Sequence, residues 1–586
     1  MRHALCLWAG IAISGVALAQ RAPAPAPPIP DILKNYQPVT AERLKNPEDA
    51  NWLMLRRTYD GWGYSPLEQI TPANVGKLKP VWVFSTGEAR VHESALLVNN
   101  GVMFVTSPNN QVIAINARTG NVLWRYRRPR PPGASVPHDT NRGVALYGDK
   151  VYYAAGEAVL VALDAKTGKE VWTAVVGDNK SGYYTTLAPM VAGGKVMVGA
   201  SGGEFGIRGF VAAFDLETGK EQWRTYTIPA PGEPGNNTWP AGGDQWKTGG
   251  GPVWVTGNYD QETNISYWGI GNGGPNMGDK RPGDNLYTSS TLALDVATGA
   301  IKGHFQYHPN DSFDWDEVSP PILVDFNRNG RTVKGLVDVA RDGYLWFLDR
   351  GPLATGSGPI KFVEGKPYVF QNVFKSLDPV TGRPDVDVDH KPATGKRGEY
   401  CPGTHGGKNW PPIAFSPKTR MIYIPANNNI CGSNLGAENV TYTPGRAYIG
   451  VTGSQPLIVP GADHFGEVQA WNVDTGQKVW THNYVKSPNW GSMLATAGGL
   501  VFTGGTADRK LHAFDATSGK ILWEFPTNSG ILAPPTSFSM DGKQYIAVET
   551  GWGGDSRGMQ GTLNRLFPGD YPEVPEGGAV WLFGLE

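Results

Sequence analysis

Cysteine is nearly absent from this 586-residue chain, 3 in all, and neither sign of charge dominates, with 52 Lys and Arg against 53 Asp and Glu. A net charge of -1 leaves no basic footprint and sets nucleic acid aside as a partner. No Cys-x-x-Cys-His occurs, so no c-type haem is attached to this chain. Past the N-terminus no apolar run is long enough to cross a bilayer. Residues 1–19 read as a cleaved export signal: Met1-Arg2-His3 is basic, Ala4 to Val16 is apolar, and Ala17-Leu18-Ala19 is small-x-small. An uncleaved anchor is the alternative, for which the stretch is short. A mature chain starting near Gln20, with a Pro/Ala-rich linker over 20–35 and one domain over 36–586, is expected in a bacterial periplasm. Cys6 leaves with the signal. Cys401 and Cys431 in an oxidising compartment then read as one disulfide, which would stabilise the fold by about 3–4 kcal/mol; two free thiols are the alternative.

Glycine (77), proline (47) and tryptophan (20) are plentiful and suggest many short strands joined by turns. The strongest global signal is a repeat. Ala114 to Gly120 leads to Trp124, Ala162 to Gly168 leads to Trp172, and Ala213 to Gly219 leads to Trp223. Ala470 to Gly476 and Ala513 to Gly519 lead likewise to Trp480 and Trp523. Ala293 to Gly299 keeps the turn but has Gly303 in the tryptophan position, and Leu377 to Gly382 is a fainter copy. Each unit reads as a strand, a tight Asp-x-x-Thr-Gly turn and a return strand, glycine supplying positive φ and Asp or Asn bonding the turn backbone. The tryptophan is a packing residue between adjacent sheets. Such spacing predicts an all-β propeller of four-stranded blades with long loop insertions. The mature length at about seventy residues per decorated blade suggests eight blades. A stacked solenoid is the competing architecture.

Chemistry is expected around Asn310-Asp311-Ser312-Phe313-Asp314-Trp315-Asp316. In an extended segment Asp314 and Asp316 present both carboxylates to one side, where they repel unless a cation or a proton sits between them. An isolated Asp-x-Asp reads first as a polar loop. This one is accompanied by Gly-rich loops carrying Glu204 and Asn272 upstream and by Arg341 downstream.

Together with Ser201 to Gly209, Trp246 to Gly251, Gly269 to Asn272 and Arg281 to Asn285, these repeats and the Asp-Trp-Asp run resemble the pyrroloquinoline quinone (PQQ)-dependent alcohol dehydrogenases from about Asn51 to Phe583. The resemblance implies PQQ in the central cavity beside a metal. Glu204 and Asn272 match its ligands, joined by Asp314 and by Asp316, an oxygen set that suits Ca²⁺, with a lanthanide as the alternative. Asp314 matches the general base that takes the alcohol proton as hydride goes to the quinone C5. Arg341 matches the residue that bonds the quinone oxygens; an ordinary salt bridge is its bland reading. Trp254 matches the aromatic floor of the cofactor. Glu93, Arg142, Thr186, Ser201, Gly202, Gly203, Asn409 and Trp490 match cofactor contacts, though Thr186 and Trp490 also suit blade packing. Cys401 and Cys431 match a structural disulfide. The implied partners are a small alcohol and a separate soluble cytochrome c.

Two departures stand out. Where many members carry adjacent cysteines, this chain has Val136 to Arg142 with none, and His138 is the candidate cap on that quinone face, as in the branch resembling membrane glucose dehydrogenase. This weakens the case for methanol or ethanol and favours a bulkier alcohol, primary or secondary. Asp316 resembles the extra carboxylate of lanthanide-using members, but the glucose-type branch has a similar second Asp, and Ca²⁺ is preferred. An aldose, polyol or aldehyde dehydrogenase of the same fold is one alternative, and a non-catalytic propeller scaffold is another.

Overall fold

The computed structural model describes residues 29–356 and 358–586; the expected export signal, Cys6 and most of the expected linker lie outside them. The end of the linker is structured: Asp31–Lys34 form one helical turn and Leu33 joins the core with Tyr36, Trp52 and Phe104.

Eight sheets of four or more strands are present among the described residues, antiparallel throughout except that Tyr64–Ser65 adds to one of them as a parallel fifth strand. Their burial follows from their position. Val102–Ser107 is buried along its whole length and Gln111–Asn116 along nearly all of it, because neighbouring sheets cover both faces, whereas the outer strand Val122–Arg127 buries only Trp124. Hence the inner strands read as continuous apolar runs and the outer ones alternate.

Each repeated turn links the third and fourth strands of one sheet and receives the tryptophan of the sheet before it. In the second repeat Asp164 accepts the N–H groups of Lys166 and Thr167 and the Thr167 hydroxyl. That turn ends at Gly168, where φ is 67° and an added Cβ would lie 2.6 Å from the Trp124 ring of the preceding sheet. Trp124 Nε1 also donates to Ala165 O at 2.9 Å. The same latch recurs where Trp82 donates to Ala117 O, Trp172 to Leu216 O, Trp223 to Val296 O and Trp480 to Ala516 O. Gly303, lacking an indole, packs instead against the Gly358 backbone, and Phe362 fills the place against Gly382.

The solenoid alternative is excluded by closure. Leu78–Ser85 pairs antiparallel with Ala579–Leu585, so the first long strand completes the last sheet and the sheets become the blades of a propeller. A three-stranded insertion, Arg397–Tyr400, Ile430–Gly436 and Val451–Ile458, carries the Cys401–Cys431 disulfide at its edge. One element was not expected: Gly554–Leu566 is a 13-residue α-helix, concealed in the sequence by its three interior or terminal glycines and weak apolar pattern.

Candidate active site

One end of the propeller is organised by a simple rule. The loop entering the first strand of each of the eight sheets places a residue on the wall of one cavity of about 480 Å³. These residues are Glu93, Arg142, Thr186, Trp254, Asp316, Trp410, Trp490 and Leu532, from Arg142 three residues before Ala145 to Asp316 six before Ile322. A second series comes from loops between the second and third strands: Ser201, Gly202 and Glu204 after Lys195–Gly199, and Arg341 after Gly335–Val339. Asn272, after Ile265–Ile270, stands just behind this wall with Gly203, whose added Cβ would fall 2.5 Å from Asn272 Oδ1.

Carboxylates crowd one side. Asp314 and Asp316 both line the cavity, but not by the alternation of an extended strand. Asp314 has φ of 66°, and Asp316 N–H donates back to Asp314 O at 3.2 Å, so a turn brings the two side chains together. The extended expectation is corrected on this point. The left-handed conformation is held by Asp311, whose Oδ2 accepts Asp314 N–H at 3.0 Å. Asp316 is firmly bound, Oδ1 accepting Asn272 N–H at 2.6 Å and Oδ2 accepting Trp254 Nε1–H at 3.1 Å, with Arg341 Nη2 at 3.5 Å. In contrast, Asp314 Oδ1 and Asn272 Oδ1 have no hydrogen-bond partner among the described residues.

The electrostatics follow. Burial, then the neighbouring Asp316 and Glu204, hold the Asp314 carboxyl well above its ordinary range. Burial and Asp316 raise Glu204, and burial raises Asp316 even against the Arg341 guanidinium. Three carboxylates facing one guanidinium are short of positive charge, and two unpartnered oxygens stand among them. That donor set fits a hard cation bound through oxygen.

The other walls are flat and donor-rich. The Arg142 guanidinium carbon lies 4.8 Å from the Trp254 ring centre and 4.6 Å from that of Trp410. Arg142 pairs with Glu93 Oε2 at 2.9 Å and donates to Thr186 Oγ1 at 2.7 Å, which is 3.3 Å from Ser201 Oγ. Arg341 Nη1 donates to Asp314 O and Nη2 to Asn409 Oδ1, which places Asn409 behind the wall as a brace. Arg142 Nε, Arg341 Nε and Trp490 Nε1 lack partners among the described residues. Spare guanidinium and indole donors around a tryptophan floor fit a planar, multiply anionic molecule. His138 lines the mouth, exposed, with its ring 6.2 Å from Tyr184 and stacked at 20°.

Several lining residues were not anticipated. Trp410 and Leu532 obey the loop-to-first-strand rule and could have been found by counting back from each strand. Trp552, His405 and Asp555 carry no such mark. Asp555 sits in the first turn of the unexpected helix. Burial pushes its carboxyl up, but His405, His138, Arg341 and Arg142 outweigh this and leave it below its ordinary value.

The chain is similar to known proteins over most of its length. Residues 52–368 and 386–546 match the family model described as the glucose/ethanol/alcohol dehydrogenase β-propeller domain of PQQ enzymes. The chain is 38% identical over 573 residues to the quinoprotein alcohol dehydrogenase PedH of Pseudomonas putida, covering 93% of each. It is 35% identical over 574 residues to the quinone-dependent 1-butanol dehydrogenase of Thauera butanivorans, covering 89% of this chain and 90% of that one. Among solved structures, a europium-containing methanol dehydrogenase superposes with a TM-score of 0.85 at 32% identity, over 93% of this chain and 99% of that one.

Proposed function

This chain belongs to the PQQ-dependent alcohol dehydrogenases, and from that premise we propose that it oxidises an alcohol larger than methanol, primary or secondary, in the bacterial periplasm and passes the electrons to a cytochrome c. The observation that carries the site assignment is the pair of unpartnered buried oxygens, Asp314 Oδ1 and Asn272 Oδ1, beside spare guanidinium donors. When bound, PQQ supplies the two-electron acceptor and Ca²⁺ the Lewis acid. Glu204, Asn272 and Asp314 would hold the ion, and Asp316 is the further carboxylate on which a trivalent lanthanide would draw.

Asp314 is the base: its carboxylate, buried beside Asp316 and Glu204, takes the hydroxyl proton. Arg341, fixed by Asp314 O and Asn409 Oδ1, keeps Nε–H free to donate to oxygen that gains charge. Trp254 is held flat by its bond to Asp316 and forms the floor. Trp410, Trp490 and Trp552 shield the centre from water. The export signal supports the periplasmic assignment, and among the described residues no helix is long and apolar enough to cross a membrane.

A polyol or aldose substrate is the second reading, favoured by the polar group of His138, His405 and Asp555 on the cavity wall. The test reconstitutes apo-protein with PQQ and Ca²⁺ or La³⁺ and follows dye reduction across primary, secondary and cyclic alcohols, aldoses and aldehydes. Turnover greatest on alcohols above methanol is expected. Preference for aldoses establishes the second reading, and no turnover with any substrate rejects both. Asp316→Ala should lose La³⁺-supported turnover and keep that with Ca²⁺; equal loss with both ions places Asp316 outside a lanthanide-specific role.

A further inference from the structure

We propose that His308 is a positioning residue of this enzyme, its imidazole gathering Asp311 and Glu317 so that these hold the backbones of Asp314 and Arg341. The proposal rests on the roles assigned above to Asp314 and Arg341. His308 is buried, 1% exposed, with its ring edge-on to Trp315 at 5.4 Å between centres. Its Nε2 lies 3.2 Å from Asp311 Oδ1, and its Nδ1 lies 3.6 Å from Glu317 Oε1 and 3.9 Å from Asp342 Oδ2.

Each of those carboxylates also grips a loop. Asp311 accepts the N–H groups of Phe313 and Asp314. Glu317 accepts those of Arg341 at 2.8 Å and Asp342 at 3.1 Å. Asp342 accepts Tyr344 N–H and the Trp346 indole. Both active-site loops are thus tied to carboxylates that turn toward one ring. Without a cation there, buried acids that face one another repel or take up protons, neither state draws them to one point, and displacements below an ångström matter at a reacting centre. Asp314 is the more sensitive because its positive φ persists only while its surroundings enforce it.

The charges facing this cluster are few. Arg281 acts on Asp311 and also donates to its backbone carbonyl, Asp338, bonded to Tyr307, acts on Glu317 and Asp342, and the buried Lys408 ammonium acts on Asp338 and Glu317. Burial alone would lower the imidazole's proton affinity, but Asp311, Asp342 and Glu317 overcome it and raise the value to about 10. A metal ion is the other occupant that one histidine and two carboxylates could hold. The spacing is uneven for it: an ion roughly 2.1 Å from its ligands would subtend roughly 118° between His308 Nδ1 and Glu317 Oε1 but roughly 135° between His308 Nδ1 and Asp342 Oδ2.

The test is His308→Gln in the full chain, reconstituted with PQQ and Ca²⁺. Turnover should fall 10- to 100-fold while KM for the alcohol moves less than threefold and one PQQ per chain stays bound by absorbance. Unchanged kcat, or kcat falling only in proportion to bound PQQ, overturns the proposal. If this variant does not fold, ¹⁵N-histidine NMR of the apo-protein at pH 8 decides, with His464→Gln removing the other imidazole that two carboxylates hold up: one ring with both nitrogens protonated is expected to remain, and only neutral rings overturn it. Elemental analysis showing a second tightly bound ion that His308→Gln loses, or a metal-shifted ring resonance, also overturns it. Full turnover of Asp314→Asn would sink the underlying reading, whereas an inactive Asp314→Asn beside a fully active His308→Gln would sink the positioning role alone.

Discussion

At the turn of the second repeat, Asp164 spends its carboxylate on Lys166 and Thr167, Gly168 receives the Trp124 ring, and the indole N–H finds Ala165 O. In the cavity the same residue types behave differently. Asp314 keeps one oxygen free, Gly203 makes room for an unpartnered amide oxygen, and Trp490 N–H has no acceptor among the described residues. The contrast separates two uses of one chemistry. Buried polar groups are almost always paired, so the latches between sheets hold the fold together. Groups left unpaired at the centre are kept so by the surrounding fold, and they mark where a ligand belongs.

Three substitutions test that division. Asp314→Asn should have the largest effect, lowering kcat by about 10²- to 10⁴-fold with the unfolding midpoint little changed; dye reduction and thermal melting read both, and retained turnover would show that Asp314 is not the base. Gly168→Ala brings a Cβ to 2.6 Å from the Trp124 ring at φ of 67° and should cost about 1–3 kcal/mol of stability. Its kcat per folded molecule should be unchanged; a selective loss of kcat would break the division between latch and site. Trp124→Phe removes the bond to Ala165 O and should cost about 1 kcal/mol, measured as a shifted denaturant midpoint. A variant as stable as the wild type would mean that the indole bond adds nothing to ring packing.

The propeller was legible because its signal is local and repeated. Asp at the head of the turn, Gly at its end and Trp four residues on recur with the strand pattern, and each performs in the structure the job its chemistry suggests. The disulfide was legible from two remaining cysteines. The active-site loops were found singly, by motif, and the structure brings nearly all of them to one cavity. The turn at Asp314 was not legible, because nothing in Asp-Trp-Asp requires φ of 66°; Asp311 and its neighbours impose it. Nor was the helix at Gly554, whose glycines argue against it and whose buried face, including Met559 and Leu563, is what retains it.

By itself the sequence determined the units, since turn geometry and the place of the tryptophan four residues past each turn glycine depend on short spacings. Only the tertiary structure decided which side chains share the centre. Asn272 N–H meets Asp316, Arg142 lies between Trp254 and Trp410, and His308 stands among Asp311, Glu317 and Asp342. Closing the sheets into a ring fixes those meetings, because it points the entry loops of separate blades at one axis, and no local pattern in the chain encodes that convergence.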